Sequence, residues 1–151
     1  MSAAVLLTAA CSAGPVEIDA PEQSATDPAG CARLIAALPG TLAGLEARET
    51  TGDTEYGAAW GDPAIVLTCG AGVPDEFDEF SACTDVSGVG WFVPPAQEED
   101  QDADALLTAV GYAPRVSLLV PADRRGGASA DALATISDLV KQHLTLEDEC
   151  A

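Results

Sequence analysis

Four cysteines, Cys31, Cys69, Cys83 and Cys150, constrain this chain more than any other feature. Once paired, they tie together segments far apart in sequence, and any fold must bring those segments into contact. An even set in an exported domain reads as a disulfide framework, for which three connectivities exist. Spacing alone leaves all three open. Cys31–Cys69 with Cys83–Cys150 is the favoured set, because the second bridge would pin the C-terminal tail back onto a sheet. Each closed loop is long enough to contribute roughly 3–4 kcal/mol by restricting the unfolded chain. A redox or zinc role needs Cys-x-x-Cys or a histidine at ligand spacing. The sequence has neither, and the single His143 has no cysteine at such an interval.

Cys11 stands apart from this set. It follows an uncharged apolar run ending in Leu7-Thr8-Ala9-Ala10. Small residues before a cysteine, after such a run, are what bacterial lipoprotein processing requires. The peptidase must fit them, and the thiol must carry the lipid. Cys11 is therefore the expected lipidation site and the first residue of the mature protein. Signal peptides open on a basic segment, yet residues 1–10 contain no Lys or Arg. The expectation is a signal peptide over 1–10 truncated at its start, with the true start codon upstream. No stretch approaches the ~20 apolar residues of a membrane-spanning helix, so the lipid would be the only anchor. One acyl chain binds marginally and two hold firmly. The expected location is the extracytoplasmic face of the cell membrane.

Charge narrows the partners. With 25 acidic and 6 basic residues the formal charge is −19. Nucleic acid binding relies on clustered Lys and Arg, and docking on anionic lipid does too. Both are excluded as expectations. The charge serves solubility and self-repulsion, in keeping with a monomer. Arg124-Arg125 beside Gly126-Gly127 is the one basic cluster and reads as a solvated loop.

Residues 11–26, rich in Pro, Ala, Ser and acidic side chains, read as a flexible tether after the lipidated cysteine. Residues 27–151 form a single domain of ordinary size. Asp27-Pro28 is an N-cap followed by Pro at the first helical position. Cys31, Leu34, Ile35 and Leu38 then form one buried helix face that Pro39-Gly40 ends. Ala64 to Cys69 reads as a strand buried on both faces. Ala82 to Pro94 reads as a hairpin turning at Ser87-Gly88, with Val89, Trp91 and Val93 on one face. Ala105–Val110 and Arg115–Val120 flank a second turn at Gly111–Pro114. Ser129 is expected to cap a last helix with Leu133, Ile136, Val140 and Leu144 as its apolar stripe. The class is α+β: an antiparallel sheet of about five strands, covered by an N-terminal and a C-terminal helix and stapled by two disulfides.

Chemistry-bearing motifs are weak. Asp100-x-Asp102-x-Asp104 resembles the start of a calcium loop, but the sixth position is Ala105 and the twelfth Gly111, where Gly and Glu are needed. Asp75, Glu76, Asp78 and Glu79 read as a solvated acidic loop in which Phe77 and Phe80 dip toward the core. Paired carboxylates can run glycoside hydrolysis, yet nothing marks two of them as facing each other. His143 suits the cation-favouring end of a helix, and no Gly-x-Ser-x-Gly elbow offers a nucleophile. No catalytic residue, metal ligand or cofactor is expected. Trp60-Gly61-Asp62-Pro63 and Gly90-Trp91-Phe92 are the most distinctive stretches. Packing is the default for them. Trp60, Asp62, Trp91 and Phe92 are the residues to examine first for a binding surface, because aromatic anchors dominate interfaces.

Cys11-Ser-Ala-Gly-Pro-Val-Glu, Cys31-x-x-Leu-Ile-x-Ala-Leu-Pro, Trp60-Gly-Asp-Pro-Ala-Ile-Val-Leu-Thr-Cys-Gly, Val89-Gly-Trp-Phe-Val-Pro and Pro114-Arg-Val together resemble an actinobacterial lipoprotein family catalogued as domain of unknown function 3515. The similarity runs from Cys11 over nearly the whole chain, and the Trp60 block is its most specific part. It implies an exported, lipid-anchored, cysteine-bridged domain, and carries no established activity. Its members usually have a longer, basic leader, which this chain lacks. The family's genes tend to lie near that of D-alanine–D-alanine ligase, an association with cell-wall work. The leading expectation is a non-catalytic envelope protein that binds another envelope protein or a cell-wall component. The alternative is a small cell-wall hydrolase or modifying enzyme using acidic residues; a third is a spacer without a ligand. An exposed aromatic patch around Trp60 or Trp91 would mark the first, facing carboxylates in a deep pocket the second, and neither would leave the spacer.

Overall fold

The computed structural model describes residues 13–21 and 27–150; the expected leader and Cys11 lie outside them. Strand β1 (Val16–Ile18) comes first, then helix α1 (Pro28–Ala37) and strands β2 (Thr41–Leu42), β3 (Leu45–Glu46), β4 (Thr50–Gly52), β5 (Gly57–Trp60) and β6 (Ile65–Cys69). Strands β7 (Thr84–Val86) and β8 (Val89–Trp91) precede the short helix α2 (Pro95–Glu99). Strands β9 (Ala105–Ala109), β10 (Tyr112–Ala113) and β11 (Val116–Val120), helix α3 (Gly127–His143) and β12 (Thr145–Leu146) complete the order. No helix among the described residues is long and apolar enough to cross a membrane.

The expected α+β class holds. An antiparallel sheet of order β5-β6-β11-β9 is surrounded by two-stranded ladders. It has four strands, and an antiparallel bridge between Phe92 and Thr108 lays the chain after β8 alongside β9 in a fifth position. Ile65, Leu67 and Cys69 of β6 point inward with Val116, Leu118 and Val120 of β11, and all are buried. Cys31 and Leu34 of α1 and Ile136 and Val140 of α3 close the same core. On the other face of β6, Val66 and Thr68 are only half-buried. The strand expected to be buried on both sides is thus fully covered on one, because α1 and α3 both pack on the same face of the sheet.

Local chemistry explains the elements. The Asp27 Oδ1 accepts the Gly30 N–H at 2.9 Å, starting α1 as its cap. The β7–β8 hairpin turns at Ser87 (φ 53) and Gly88 (φ 82), the left-handed pair of a type I′ turn. Helix α3 starts at Gly127, earlier than a Ser129 cap would give. Gly126 takes φ 116, which glycine tolerates and side chains do not. Ser129 still ties the helix start from inside it: its Oγ accepts the Gly126 N–H at 3.1 Å and donates to the Gly126 carbonyl at 2.7 Å.

Both bridges match the favoured connectivity. Cys31–Cys69 joins α1 to β6 and is fully buried. Cys83–Cys150 holds the C-terminal tail to the start of the β7–β8 hairpin. Loops of 38 and 67 residues correspond to about 4 kcal/mol each in the chain-entropy account.

The tether expected over 11–26 is interrupted. Val16 and Ile18 pair in parallel with Thr50 and Gly52. Ile18 is 1% exposed and lies against Gly57, where any Cβ would come within 2.6 Å of its Cγ2. Arg48 adds a clamp, its Nη2 donating to the Gly14 carbonyl at 2.6 Å. Burying one β-branched side chain outweighs a composition that otherwise favours an extended chain. Ile18→Ala should therefore cost about 2–4 kcal/mol and open residues 13–21 to protease. A loss below about 0.5 kcal/mol, the range of ordinary surface changes, would show that β1 rests only loosely on the domain.

Candidate functional site

The aromatic residues singled out in the sequence do not form a surface. Trp60, Trp91 and Phe92 are 1%, 0% and 2% exposed. Each indole has its polar handle satisfied inside: Trp60 donates to the Pro39 carbonyl and Trp91 to the Ser137 Oγ, both at 2.9 Å. A binding patch at Trp60, Trp91 and Phe92 is thereby overturned, because a buried ring with a paired N–H has nothing left to offer a partner. Asp62 alone of that group is exposed, with its carboxylate 4.0 Å from the Arg48 guanidinium.

The acidic and basic clusters have structural employment. Asp100 accepts the Asp102 N–H at 3.0 Å, and Asp104 accepts the Ala122 N–H at 2.9 Å. Among the described residues no group of three or more His, Cys, Asp or Glu is placed to hold a metal. Arg124 and Arg125 are half-buried clamps and not a solvated loop. Arg124 Nη2 donates to the Asp62 carbonyl at 2.7 Å, and Arg125 Nη1 to the Asp100 carbonyl at 2.6 Å. The guanidinium forks tie together loop carbonyls from distant parts of the chain. Arg48, Arg115 and Lys141 are engaged on carbonyls as well, so five of the six cations serve the fold. His143 ends α3 behind Lys141, where the dipole favours cations. Asp85, Asp148 and Glu149 border an acidic recess of about 270 Å³ beside the Cys83–Cys150 bridge.

A different site lies on the sheet face away from the helices. Thr108 of β9 and Ser117 of β11 stand directly opposite each other, and Thr68 of β6 continues the row. Thr108 is 2% and Ser117 8% exposed, and both line a cleft of about 420 Å³. No hydrogen bond joins either hydroxyl to another described residue. Val73, Pro74, Pro94, Leu106 and Pro21 form apolar walls, and Asp75 and Glu76 line the same cleft. Val73 and Leu106 are 52% and 40% exposed. Next along the loop from Asp75 and Glu76, the Phe77 ring meets that of Phe92 edge-on at 5.2 Å. Phe77 thus dips inward as expected, whereas Phe80, 85% exposed, does not.

This cleft was not foreseen, although the sequence carried a trace of it. Thr108 is the one polar residue in Ala105–Val110, and Ser117 the one polar residue in Val116–Val120. The hairpin expected there brings the two into register.

A family model described as a protein of unknown function, DUF3515, matches residues 1–148. The chain belongs to the DUF3515 family. No curated protein and no solved structure matches it. The DUF3515 fold is therefore read from its own geometry. That geometry offers a hydroxyl-floored cleft on one sheet face and a sealed aromatic core behind the other.

Proposed function

We propose that this DUF3515 chain is an actinobacterial envelope lipoprotein, exported and anchored by lipid on Cys11, whose domain recognises another envelope protein or a cell-wall component without catalysing a reaction. The observation carrying this reading is the cysteine pairing. Both bridges draw on Cys31, Cys69, Cys83 and Cys150, which leaves Cys11 as the one cysteine outside the framework. Disulfides persist in oxidising compartments, and a cysteine set aside after an apolar run is suited to lipid. Recognition is supported by the cleft floored by Thr108 and Ser117, which takes over the role first sought at Trp60 and Trp91. The formal charge of −19 leaves nucleic acid out.

Fractionation tests the anchor. Wild-type chain should sediment with membranes and carry the mass of a diacylglyceryl group, while Cys11→Ser should pass into the soluble fraction or medium. Membrane retention of the Cys11→Ser chain would sink the anchor, whatever the domain binds.

A further inference from the structure

The cleft combines three features that narrow its occupant. Its floor presents the hydroxyls of Thr108 and Ser117: both residues are more than nine-tenths buried, and their hydroxyl oxygens bond no other described residue and stay open to the cleft. Hydroxyls can both donate and accept, so the floor suits backbone N–H and C=O groups. A helix consumes those groups internally, whereas an extended chain presents them. The walls at Val73 and Leu106 are apolar and exposed, which suits alternate side chains of a strand-like segment. The acidic lining at Asp75 and Glu76 continues along the loop into Asp78 and Glu79, and none of the six cations lines the cleft. Five of the cations are held on the fold's own carbonyls and none lines the cleft, so this rim stays available to a positively charged partner.

The sheet edges are closed to the same partner. On β9 the Leu106 N–H donates to Gln97 Oε1 at 2.8 Å, and Thr108 exchanges backbone bonds with Phe92 at 2.9 Å. On β5 the Ala59 carbonyl accepts the Arg48 N–H at 2.8 Å. Strand addition needs a free edge, so an extended ligand is left with the face.

We propose that this cleft binds an extended cationic segment of a partner protein. Its main-chain groups meet Thr108 and Ser117, its apolar side chains rest on Val73 and Leu106, and its Lys or Arg residues face Asp75 and Glu76. The assignment rests on the binding reading above and specifies its partner. A second copy of the chain is a poor occupant, since two surfaces of formal charge −19 repel.

The test uses the full unlipidated chain and a fluorescein-labelled peptide repeating Lys-Val-Pro, read by anisotropy at about 0.15 M salt. Binding should weaken as salt rises, and a Glu-Val-Pro repeat should not bind. Asp75→Lys with Glu76→Lys should weaken binding about tenfold or more, because removing rim charges acts through long-range attraction and its salt dependence. Leu106→Glu should do likewise through the wall. Asp123→Lys with Asp131→Lys makes the same charge change at exposed sites elsewhere and should stay within about twofold. All these positions are exposed, so circular dichroism should show an unchanged fold. Equal losses in the rim and remote variants would mean diffuse charge attraction and overturn the cleft. So would binding of the Glu repeat, or a concentration-dependent dimer abolished by Leu106→Glu. In the envelope, a photocrosslinker at Val73 should capture a protein. Capture only from other surface positions overturns the cleft and leaves the binding reading standing; capture from none overturns the cleft and any protein partner, and leaves only a cell-wall component for the binding reading.

Discussion

Trp91→Ala is expected to lower the free energy of unfolding by about 3–5 kcal/mol, the range for deleting a buried aromatic ring. The ring is fully buried in the cluster that joins β8 to α3 and the central sheet. Its loss leaves a cavity that helix and sheet cannot both collapse into. It also strips the Ser137 hydroxyl, itself 0% exposed, of the indole N–H it accepts. An orphaned buried group adds about 1–3 kcal/mol of penalty, which places this variant toward the upper end. Urea unfolding followed by far-ultraviolet circular dichroism measures the effect without relying on the deleted fluorophore. Trp91→Phe should recover much of the loss by refilling the volume, though not the hydrogen bond. A loss below about 0.5 kcal/mol for Trp91→Ala would mean the ring behaves as surface and would restore it as a binding candidate.

Removing Cys31–Cys69 by paired substitution to Ala should cost about 2–5 kcal/mol. Both sulfur-bearing residues are fully buried, and the bridge fixes α1 to the central strand β6. Cys83 and Cys150 are only partly buried and join a hairpin to the chain's tail. The two bridges should therefore part company under reductant. In the folded protein, dithiothreitol should open Cys83–Cys150 first, since exchange requires access of the attacking thiolate. Cys31–Cys69 should resist until the domain unfolds. Alkylation of timed samples followed by peptide mass mapping distinguishes the bridges. Simultaneous labelling of all four cysteines would show that the tail bridge is as protected as the core one.

What could be read from the sequence was local. The α1 cap and stripe, the Ser87-Gly88 turn and the α3 stripe each depend on residues within two turns of helix or one hairpin. Periodicity and turn chemistry report such features directly. What escaped depended on distant partners. β1 is three residues long and gains its place from Thr50–Gly52, with Ile18 filling the space left by Gly57. Nothing near Val16 announces that. The tryptophans were distinctive in sequence, yet their indole partners, Pro39 and Ser137, lie 21 and 46 positions away. Arg124 and Arg125 read as a solvated loop for the same reason, since the carbonyls they hold belong to other loops. The cleft floor was half legible: the hairpin placed Ser117 opposite Thr108, but only the folded sheet shows which face they share.

The ordered β1 strand also sets a leash. With lipid on Cys11 as proposed, the chain from Cys11 to Val16 spans at most about 18 Å, at ~3.6 Å per residue. A tether running on to Asp27 could have reached roughly three times as far. A domain of this size has a radius of gyration of about 14 Å, comparable with the leash itself. It cannot roll freely over the bilayer. On that anchor, the end that carries β1 and β4 would stay nearest the lipid, and a partner would have to come within a molecular diameter of the membrane to be met.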